Sequence, residues 1–154
     1  MIKKIIFCIG VPASGKSTWS KDFVKNNLNY VRVCRDDYRY MLKNSGWFED
    51  EIRNKLENLI TNFIFDDIIN LLNAGFNVVI DETNVDKKRL IRFLKVLKSE
   101  VENLDIDFKI FDAPYETLIE RDKNRERSVG ESVIRRMYGK YQHLINNFNV
   151  LKNI

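Results

Sequence analysis

The chain is poor in the residues that mark several classes of protein. Its 154 residues include two cysteines, two prolines, six glycines and a single histidine. Cys8 and Cys34 lack the spacing of a secreted disulfide framework or a zinc site, so we expect a cytoplasmic protein. The shortage of proline and glycine, together with 44% hydrophobic residues, excludes collagen-like and disordered chains. We therefore expect a chain that folds alone.

Long hydrophobic runs are also absent from the sequence. None approaches the roughly 20 residues that a membrane-spanning helix needs. The first four residues lead directly into a strand-like run without a leader-type cleavage site, so we expect no membrane association. A length of 154 residues predicts a single domain over residues 1–154. The net charge of +4 favours anionic partners but is too small to indicate nucleic acid by itself.

Short apolar runs alternate with amphipathic segments along the whole chain. Continuous apolar runs predict strands buried on both faces, and apolar residues three and four apart predict helices. This alternation predicts a three-layer α/β fold with a mostly parallel sheet flanked by helices. The predicted strands are 2–9, 30–34, 76–80 and 108–111, and the predicted helices are 16–25, 51–74, 86–101, 114–124 and 131–146.

The segment between the first strand and the first helix has the pattern G-x-x-x-x-G-K-[ST] of a Walker A phosphate loop. In such a loop the backbone N–H groups and the helix N-terminus bind phosphate oxygens. Lys16 would reach the β- and γ-phosphates of ATP, and the Ser17 hydroxyl would bind Mg²⁺. The predicted nucleotide-binding residues of the loop are Gly10, Ala13, Ser14, Gly15, Lys16, Ser17 and Thr18.

Switch GTPases, hydrolytic motors and kinases all use such a loop. A GTPase should carry D-x-x-G and N-K-x-D motifs; here no aspartate stands three before a glycine, and Asn54-Lys55-Leu56-Glu57 ends in glutamate. A motor is favoured by the hydrophobic strand that ends in Asp81-Glu82, and disfavoured by the short chain. We keep the hydrolytic motor as an alternative to the kinase.

A kinase needs a carboxylate near the γ-phosphate and a mobile cationic cover. Asp36 and Asp37 follow the second predicted strand, at the sheet edge where ligands bind. Either could instead cap a short helix over residues 38–43, and for Asp37 the two interpretations are equally good. Residues 121–130 contain four basic side chains and could form the lid, or could be a solvated helix end.

Several blocks of sequence outside the loop narrow the choice. Arg35-Asp36-Asp37-Tyr38-Arg39 and the arginine-spaced lid are the most specific, because the loop alone is shared by very many families. With these blocks the sequence resembles, over nearly its whole length, the 5′-hydroxyl polynucleotide kinase domain of the bacteriophage polynucleotide kinase-phosphatase family. The other blocks are residues 9–19, Thr83-Asn84, Phe111–Leu118 and Val133–Tyr138.

The resemblance implies a role for each matching residue. Asp36 would be the general base on the 5′-hydroxyl, and Arg39 would bind the phosphate of the acceptor. Arg125 would be the lid arginine that stabilises the transition state, with Arg121 beside it. The implied substrates are ATP, with Mg²⁺, and the 5′-hydroxyl end of DNA or RNA in nucleic acid repair. A phage-encoded chain would act in the host cell cytoplasm.

The sequence departs from the family in three places. The family has aspartate directly before Thr-Asn, where this chain has Glu82, so either Asp81 or Glu82 could accompany Asn84 at the substrate; we favour Asp81. Gly130 replaces a proline, which should loosen the lid. No D-x-D-x-T motif is present, so we expect no phosphatase domain, and we interpret residues 105–107 as a polar turn before the fourth strand.

Some questions stay open at this point. Trp47 and Tyr38 could stack on a terminal base, or the aromatic pair Trp47-Phe48 could instead pack on the long helix. A small-molecule phosphotransferase acting on a nucleoside, sugar or antibiotic hydroxyl is a second kinase candidate, and an ATP-binding module without an acceptor is a third. The sequence decides neither DNA against RNA, nor ATP against another donor, nor the oligomeric state.

Overall fold

Four parallel strands alternate with helices in the computed structural model, which describes residues 2–154. The apolar runs form the strands and the amphipathic segments form the longer helices, as their periodicities predict. The elements are β1 (Lys3–Ile9), α1 (Lys16–Asn26), β2 (Tyr30–Val33), α2 (Arg35–Lys43), α3 (Asp50–Asn73), β3 (Asn77–Ile80), α4 (Lys87–Glu100), β4 (Leu104–Ile110), α5 (Tyr115–Lys123), α6 (Glu131–Asn146) and α7 (Asn149–Lys152).

The sheet has the strand order β2-β3-β1-β4, and every neighbouring pair is parallel. Ile80 of β3 pairs with Phe7 of β1 on one side and with Val33 of β2 on the other. The carboxyl ends of these three strands are therefore nearly level. Since loops that follow parallel strands meet at one edge, the phosphate loop and the polar residues after β2 and β3 lie at the same edge.

The core lies between the sheet and the helices packed on it. Phe7 at the centre of β1 is fully buried, and its ring meets the edge of Phe93 on α4 at a centroid distance of 5.8 Å. Phe65 on α3 packs against the same Phe93 ring. Isoleucine and leucine residues of α3, spaced four apart, complete this side of the core: Ile60, Ile64, Ile68 and Leu72.

The fourth strand corrects one sequence interpretation. Asp105 and Asp107 do not form a turn before the strand; they lie inside β4, which begins at Leu104. Their side chains are exposed, whereas the alternate residues Leu104 and Ile106 are half-buried against the core. The reason is that β4 is an edge strand with one solvated face, so its sequence alternates and is not continuously apolar.

Two further differences concern helices. Helix α2 starts at Arg35, directly after β2, and not near Tyr38. Its first turn therefore contains both Asp36 and Asp37, and neither side chain caps it. A short final helix, α7, was not predicted. Within residues 2–154, no helix combines the length and the apolar character needed to cross a membrane.

Candidate active site

The phosphate loop connects β1 to α1 and approaches its neighbours closely. A Cβ atom on Gly10 would lie 2.6 Å from Ser14 Oγ and 2.9 Å from the backbone oxygen of Phe111, so a larger residue would push the loop apart. The Gly10 N–H donates to the carbonyl oxygen of Thr83 at 3.0 Å. Gly15, with φ +96°, is the N-cap of α1 and leads into Lys16. The loop is thus fixed to the segment after β3.

Lys16 lies inside the loop and is almost completely buried. Its Nζ donates to the carbonyl oxygen of Val11 at 2.8 Å and to Ser14 Oγ at 3.3 Å. Burial lowers the pKa of Lys16 to about 8, Asp81 opposes that shift, and the positive charge of Arg125 adds to it. Lys16 is therefore poised to bind an anion that would restore its full charge.

Ser17, Thr18 and the lid residue Arg121 are exposed. The two hydroxyl residues lie in the first turn of α1, where partial positive charge favours phosphate. Their placement leaves the predicted nucleotide-binding groups accessible to a ligand.

Asp81 is buried at the end of β3. Its Oδ2 accepts hydrogen bonds from Ser20 Oγ and Arg32 Nε, both at 2.8 Å. The same arginine also pairs with Asp37 Oδ2 at 2.6 Å. The Asp37 carboxylate is exposed, and Arg32 connects it to the buried Asp81. Of the two acids after β3, Asp81 is therefore the one whose charge acts on Lys16 beneath the loop.

Glu82 belongs to a second network, which extends towards α2. Its Oε2 pairs with Arg35 Nε at 3.4 Å, and Arg35 in turn pairs with Glu57 of α3 at 3.1 Å. Glu57 also accepts from Arg39 Nε at 2.7 Å, and Arg39 donates to Asp36 Oδ1 at 2.7 Å. Glu57 therefore holds both arginines of α2 and, through Arg39, orients the Asp36 carboxylate.

Asn84 has a structural partner in this arrangement. Its Nδ2 donates to the backbone oxygen of Cys8 at 2.8 Å, and its φ is +49°. The side-chain amide therefore ties the segment after β3 to β1 next to the phosphate loop. The Asn84 Oδ1 is the part of the side chain that could still bind a substrate.

The lid is held by a buried carboxylate. Asp122 at the end of α5 accepts from Ser128 Oγ at 2.7 Å and from the N–H groups of Val129 and Gly130 at 3.1 and 3.0 Å. Burial opposes its ionisation, but these hydrogen bonds outweigh burial and lower the pKa of Asp122. Arg125 lies beside it, with Nη1 3.5 Å from Asp122 Oδ1.

Gly130 takes part in holding this lid, a contact that the expectation of a looser lid did not include. Its φ of +88° suits glycine, and its N–H is one of the donors to Asp122. A proline could provide neither, because its φ is near −65° and it has no N–H. The replacement of the family's proline therefore comes with a hydrogen-bonded anchor.

A second lid arginine, Arg127, contacts the opposite side of the site. Its Nη2 lies 3.3 Å from Asp36 Oδ2, and its guanidinium lies 4.3 Å from the centroid of the Tyr40 ring. Arg127 is one of the four basic residues of the predicted lid, but no motif around it indicates a role of its own. Glu57 and Asp122 were also missed, since an acid on a helix is ordinarily a solvated residue and neither has a motif around it.

Burial decides which of the aromatic and cysteine side chains are accessible to a ligand. Trp47 is 60% exposed, whereas its neighbour Phe48 is buried in the core. The Tyr38 hydroxyl donates to Asp67 Oδ2 at 2.6 Å, so its ring edge is committed to α3. Burial raises the pKa of Cys8 to about 12 and of Cys34 to about 11, so neither thiol is a nucleophile at neutral pH.

A phosphate loop on a central parallel strand, acids at the ends of the neighbouring strands and a basic lid define a P-loop nucleotide-binding domain of the kinase type. The chain belongs to the AAA domain family AAA_33, whose model matches residues 5–144. The predicted α/β P-loop kinase fold is confirmed, and ATP is the ligand that this class of site implies.

Similar proteins are named for nucleic acid chemistry. A protein of Autographa californica nuclear polyhedrosis virus, named as a bifunctional polynucleotide kinase/RNA ligase, is 26% identical over 95% of this chain and 22% of its own. A chain of the Pnkp1/Rnl/Hen1 RNA repair complex is 32% identical, with a TM-score of 0.81, over 95% of this chain and 46% of that chain. The resemblance to polynucleotide kinases is therefore confirmed, although the chain spans less than half of either relative.

Two other solved structures extend the comparison. A second structure of the Pnkp1/Rnl/Hen1 complex is 36% identical, with a TM-score of 0.64, over 78% of this chain and 39% of that chain. A protein of Chloroflexus aurantiacus named as a kinase is 19% identical, with a TM-score of 0.67, over 81% of this chain and 66% of that chain. The last comparison demonstrates a shared fold only.

The Asp122 anchor generates a prediction about the lid. In Asp122→Ala, the Ser128 hydroxyl and the N–H groups of Val129 and Gly130 lose their acceptor. We expect a loss of about 1–3 kcal/mol in the free energy of unfolding by urea, and faster tryptic cleavage after Arg125 or Arg127. Asp105→Ala, which removes an exposed aspartate from β4, should change the unfolding free energy by less than about 0.5 kcal/mol. Equal stability and equal cleavage of the two variants would contradict the anchor.

The lowered pKa of Lys16 generates a prediction about pH. Bound phosphates should raise that pKa again, so ATP binding should be accompanied by proton uptake at alkaline pH. With a free pKa of about 8, uptake should be about 0.1 proton at pH 7 and about 0.9 at pH 9. ATP affinity should then decrease about tenfold per pH unit above 8.

Calorimetry in buffers of different ionisation enthalpy measures this proton uptake. Lys16→Met removes the titrating group and should bind ATP weakly but without the alkaline uptake. Uptake that is unchanged in Lys16→Met would assign it to another group.

Proposed function

We propose that the chain is an ATP-dependent, magnesium-requiring kinase that transfers the γ-phosphate of ATP to the 5′-hydroxyl end of DNA or RNA. One observation carries the proposal: a single lid segment reaches both the nucleotide side and the acceptor side. The charge of Arg125 acts on Lys16, and Arg127, two residues further, contacts Asp36. A lid that lies near Lys16 and contacts Asp36 suits a transfer between two substrates more than it suits binding of one.

Each predicted residue has a part in the proposed reaction. The phosphate loop and Lys16 hold the triphosphate, and Asp36 takes the proton of the attacking 5′-hydroxyl. The hydroxyl oxygen bonds to the γ-phosphorus, the bond to the β–γ bridging oxygen breaks, and ADP leaves with that electron pair. Arg125 stabilises the charge on the transferred phosphoryl group. Arg39 lies beside Asp36, within reach of a phosphate next to the reactive sugar.

The residues present fit a magnesium ion that is shared with ATP. No cluster of three or more His, Cys, Asp or Glu side chains that could hold a metal occurs among residues 2–154. Mg²⁺ in kinases commonly takes few protein ligands and uses substrate phosphates and waters instead. The exposed Ser17 hydroxyl would supply the protein ligand, and the bound ion would neutralise charge on the β- and γ-phosphates.

Asp81 and Glu82 take different sides in this proposal. The negative charge of the buried Asp81 raises the pKa of Lys16, so Asp81 would act on the nucleotide side of the site. Glu82 pairs with Arg35 and, at 3.9 Å, with Arg89, so it would act on the acceptor side together with Asn84. This division favours Asp81 as the functional acid of the pair at the phosphates.

The names of the relatives support a polynucleotide acceptor. The viral relative is named for a polynucleotide kinase, and the first solved structure belongs to an RNA repair complex. Two guanidinium groups beside Asp36 favour an acceptor that carries phosphate, whereas a sugar or an antibiotic offers a neutral alcohol.

Acceptor labelling tests the proposed function directly. The protein is incubated with γ-labelled ATP and Mg²⁺, together with 5′-hydroxyl DNA and RNA oligonucleotides or with a panel of nucleosides and sugars. We expect label on the oligonucleotides alone, and none on oligonucleotides that already carry a 5′-phosphate. Label on a sugar or nucleoside would indicate a small-molecule phosphotransferase. Release of labelled phosphate without any acceptor dependence would indicate a hydrolytic module.

Two neighbouring aspartates provide a matched test of the general base. Asp36→Asn should retain ATP binding and lose phosphoryl transfer by about 10²- to 10⁴-fold, because an amide cannot accept the proton. Asp37→Asn alters the next residue of the same helical turn, whose carboxylate pairs with Arg32 and not with the lid. Its kcat should stay within about tenfold of the original enzyme. Equal losses in the two variants would remove Asp36 as the base.

A further inference from the structure

Arg127 occupies a defined seat on the acceptor side of the site, although it belongs to the lid. Its guanidinium contacts Asp36, lies over the ring of Tyr40, and packs on Gly46 in the α2–α3 loop. A Cβ atom on Gly46 would lie 2.6 Å from Arg127 Nη2, so the absence of a side chain there makes room for the guanidinium. Helix α2 and the loop that follows it therefore shape this seat.

The two arginines beside Asp36 are held with different strengths. Arg39 is bonded on both sides, to Asp36 and to Glu57, each at 2.7 Å. Arg127 has one longer contact, 3.3 Å to Asp36 Oδ2, and its side chain is 41% exposed. A guanidinium has five N–H donors, and stacking on a ring leaves its in-plane donors available. Arg127 is therefore the arginine that can leave Asp36, while Arg39 stays in place and would reach the same phosphate with the N–H donors that Asp36 and Glu57 do not use.

We propose that Arg127 binds the phosphate that adjoins the reactive nucleoside of the acceptor, an inference that rests on the proposed kinase function. Without acceptor, Arg127 pairs with Asp36 Oδ2. When a polynucleotide end binds, the guanidinium transfers to the acceptor phosphate while it remains over Tyr40. Asp36 Oδ2 is then free to accept the proton of the 5′-hydroxyl. A neutral alcohol offers no phosphate and leaves Arg127 on the base.

This exchange makes Arg127 a specificity residue. An arginine pairs with phosphate in charge-assisted and often bidentate hydrogen bonds, which are stronger than a single long contact to a carboxylate. Because Arg127 already contacts Asp36, the acceptor phosphate would hold the lid in the position that it occupies here, and the same lid brings Arg125 to the nucleotide. Donor and acceptor would then both be covered by the segment between α5 and α6.

Arg127→Ala tests the assignment. It should raise the KM for a 5′-hydroxyl oligonucleotide about tenfold or more, because one charge-assisted contact is lost. The KM for ATP should change by less than about twofold. Lys123→Ala removes an exposed positive charge from the same lid helix and controls for general electrostatics. Equal acceptor KM values in Arg127→Ala and Lys123→Ala, or a lower value in Arg127→Ala, would overturn the proposal.

Gly46→Ala perturbs the same seat from the other side. The added Cβ displaces the guanidinium. Gly46→Ala should therefore raise the acceptor KM when Arg127 is present, but should not raise it further in a protein that already carries Arg127→Ala. This non-additivity separates a direct contact from a general structural effect, since a destabilised loop would add its effect in both backgrounds. Additive effects would overturn the shared seat.

A comparison of acceptors of different length distinguishes this inference from the proposed function. A nucleoside 3′-monophosphate carries the first phosphate only, so Arg127→Ala should impair its use as strongly as that of a longer oligonucleotide. An Arg127→Ala effect confined to long oligonucleotides would place the contact further along the strand and overturn this assignment. If the unaltered protein labels no oligonucleotide at all, the kinase proposal fails first; if it does but Arg127→Ala is unimpaired, only the present inference fails.

Discussion

The site depends on three parallel strands whose carboxyl ends lie at one edge of the sheet. Phe7, Ile80 and Val33 lie in one register across β1, β3 and β2. β2 and β3 end at this level, and β1 continues two residues further, to Ile9. The phosphate loop, the Asp81-Glu82 pair and the first turn of α2 follow these strand ends. A shift of one residue in either pairing would turn every side chain of that strand to the opposite face of the sheet, so the specific packing on each face holds the register.

Charge at this edge is arranged as pairs instead of isolated groups. Asp81 is almost completely buried, and its carboxylate is paired with Arg32 and accepts a hydrogen bond from Ser20. Arg35 is buried as well, and it shares Glu57 with Arg39. The pairs form two separate networks: one joins Asp81 to Asp37 through Arg32. The other joins Glu82 to Asp36 through Arg35, Glu57 and Arg39. The groups that the reaction needs are consequently positioned before any substrate binds, which reduces the reorganisation required during transfer.

The features of the site that could be predicted are those that depend on short, continuous stretches of sequence. The phosphate loop, the strands around it and the acid after β2 each depend on residues that are adjacent in the chain. The contacts of Glu57 with Arg39 and of Arg127 with Asp36 span 18 and 91 positions, and no local pattern encodes them. β4 was predicted too short because an edge strand alternates polar and apolar residues, and Asp105 imitates a turn.

The contacts of the lid arginines are a further example of distant contacts that local sequence does not predict. Arginine content alone predicts a basic cover, but not that Arg125 and Arg127, two residues apart, have partners on different sides of the site. Asp122 makes this possible, because its carboxylate fixes residues 128–130 against the end of α5 and confines the intervening turn. Within that turn Arg125 and Arg127 diverge, one towards Asp122 and the loop lysine, the other towards Asp36 and Tyr40. In the proposed kinase, this short turn with its two diverging guanidiniums would couple the donor and acceptor sides of the site.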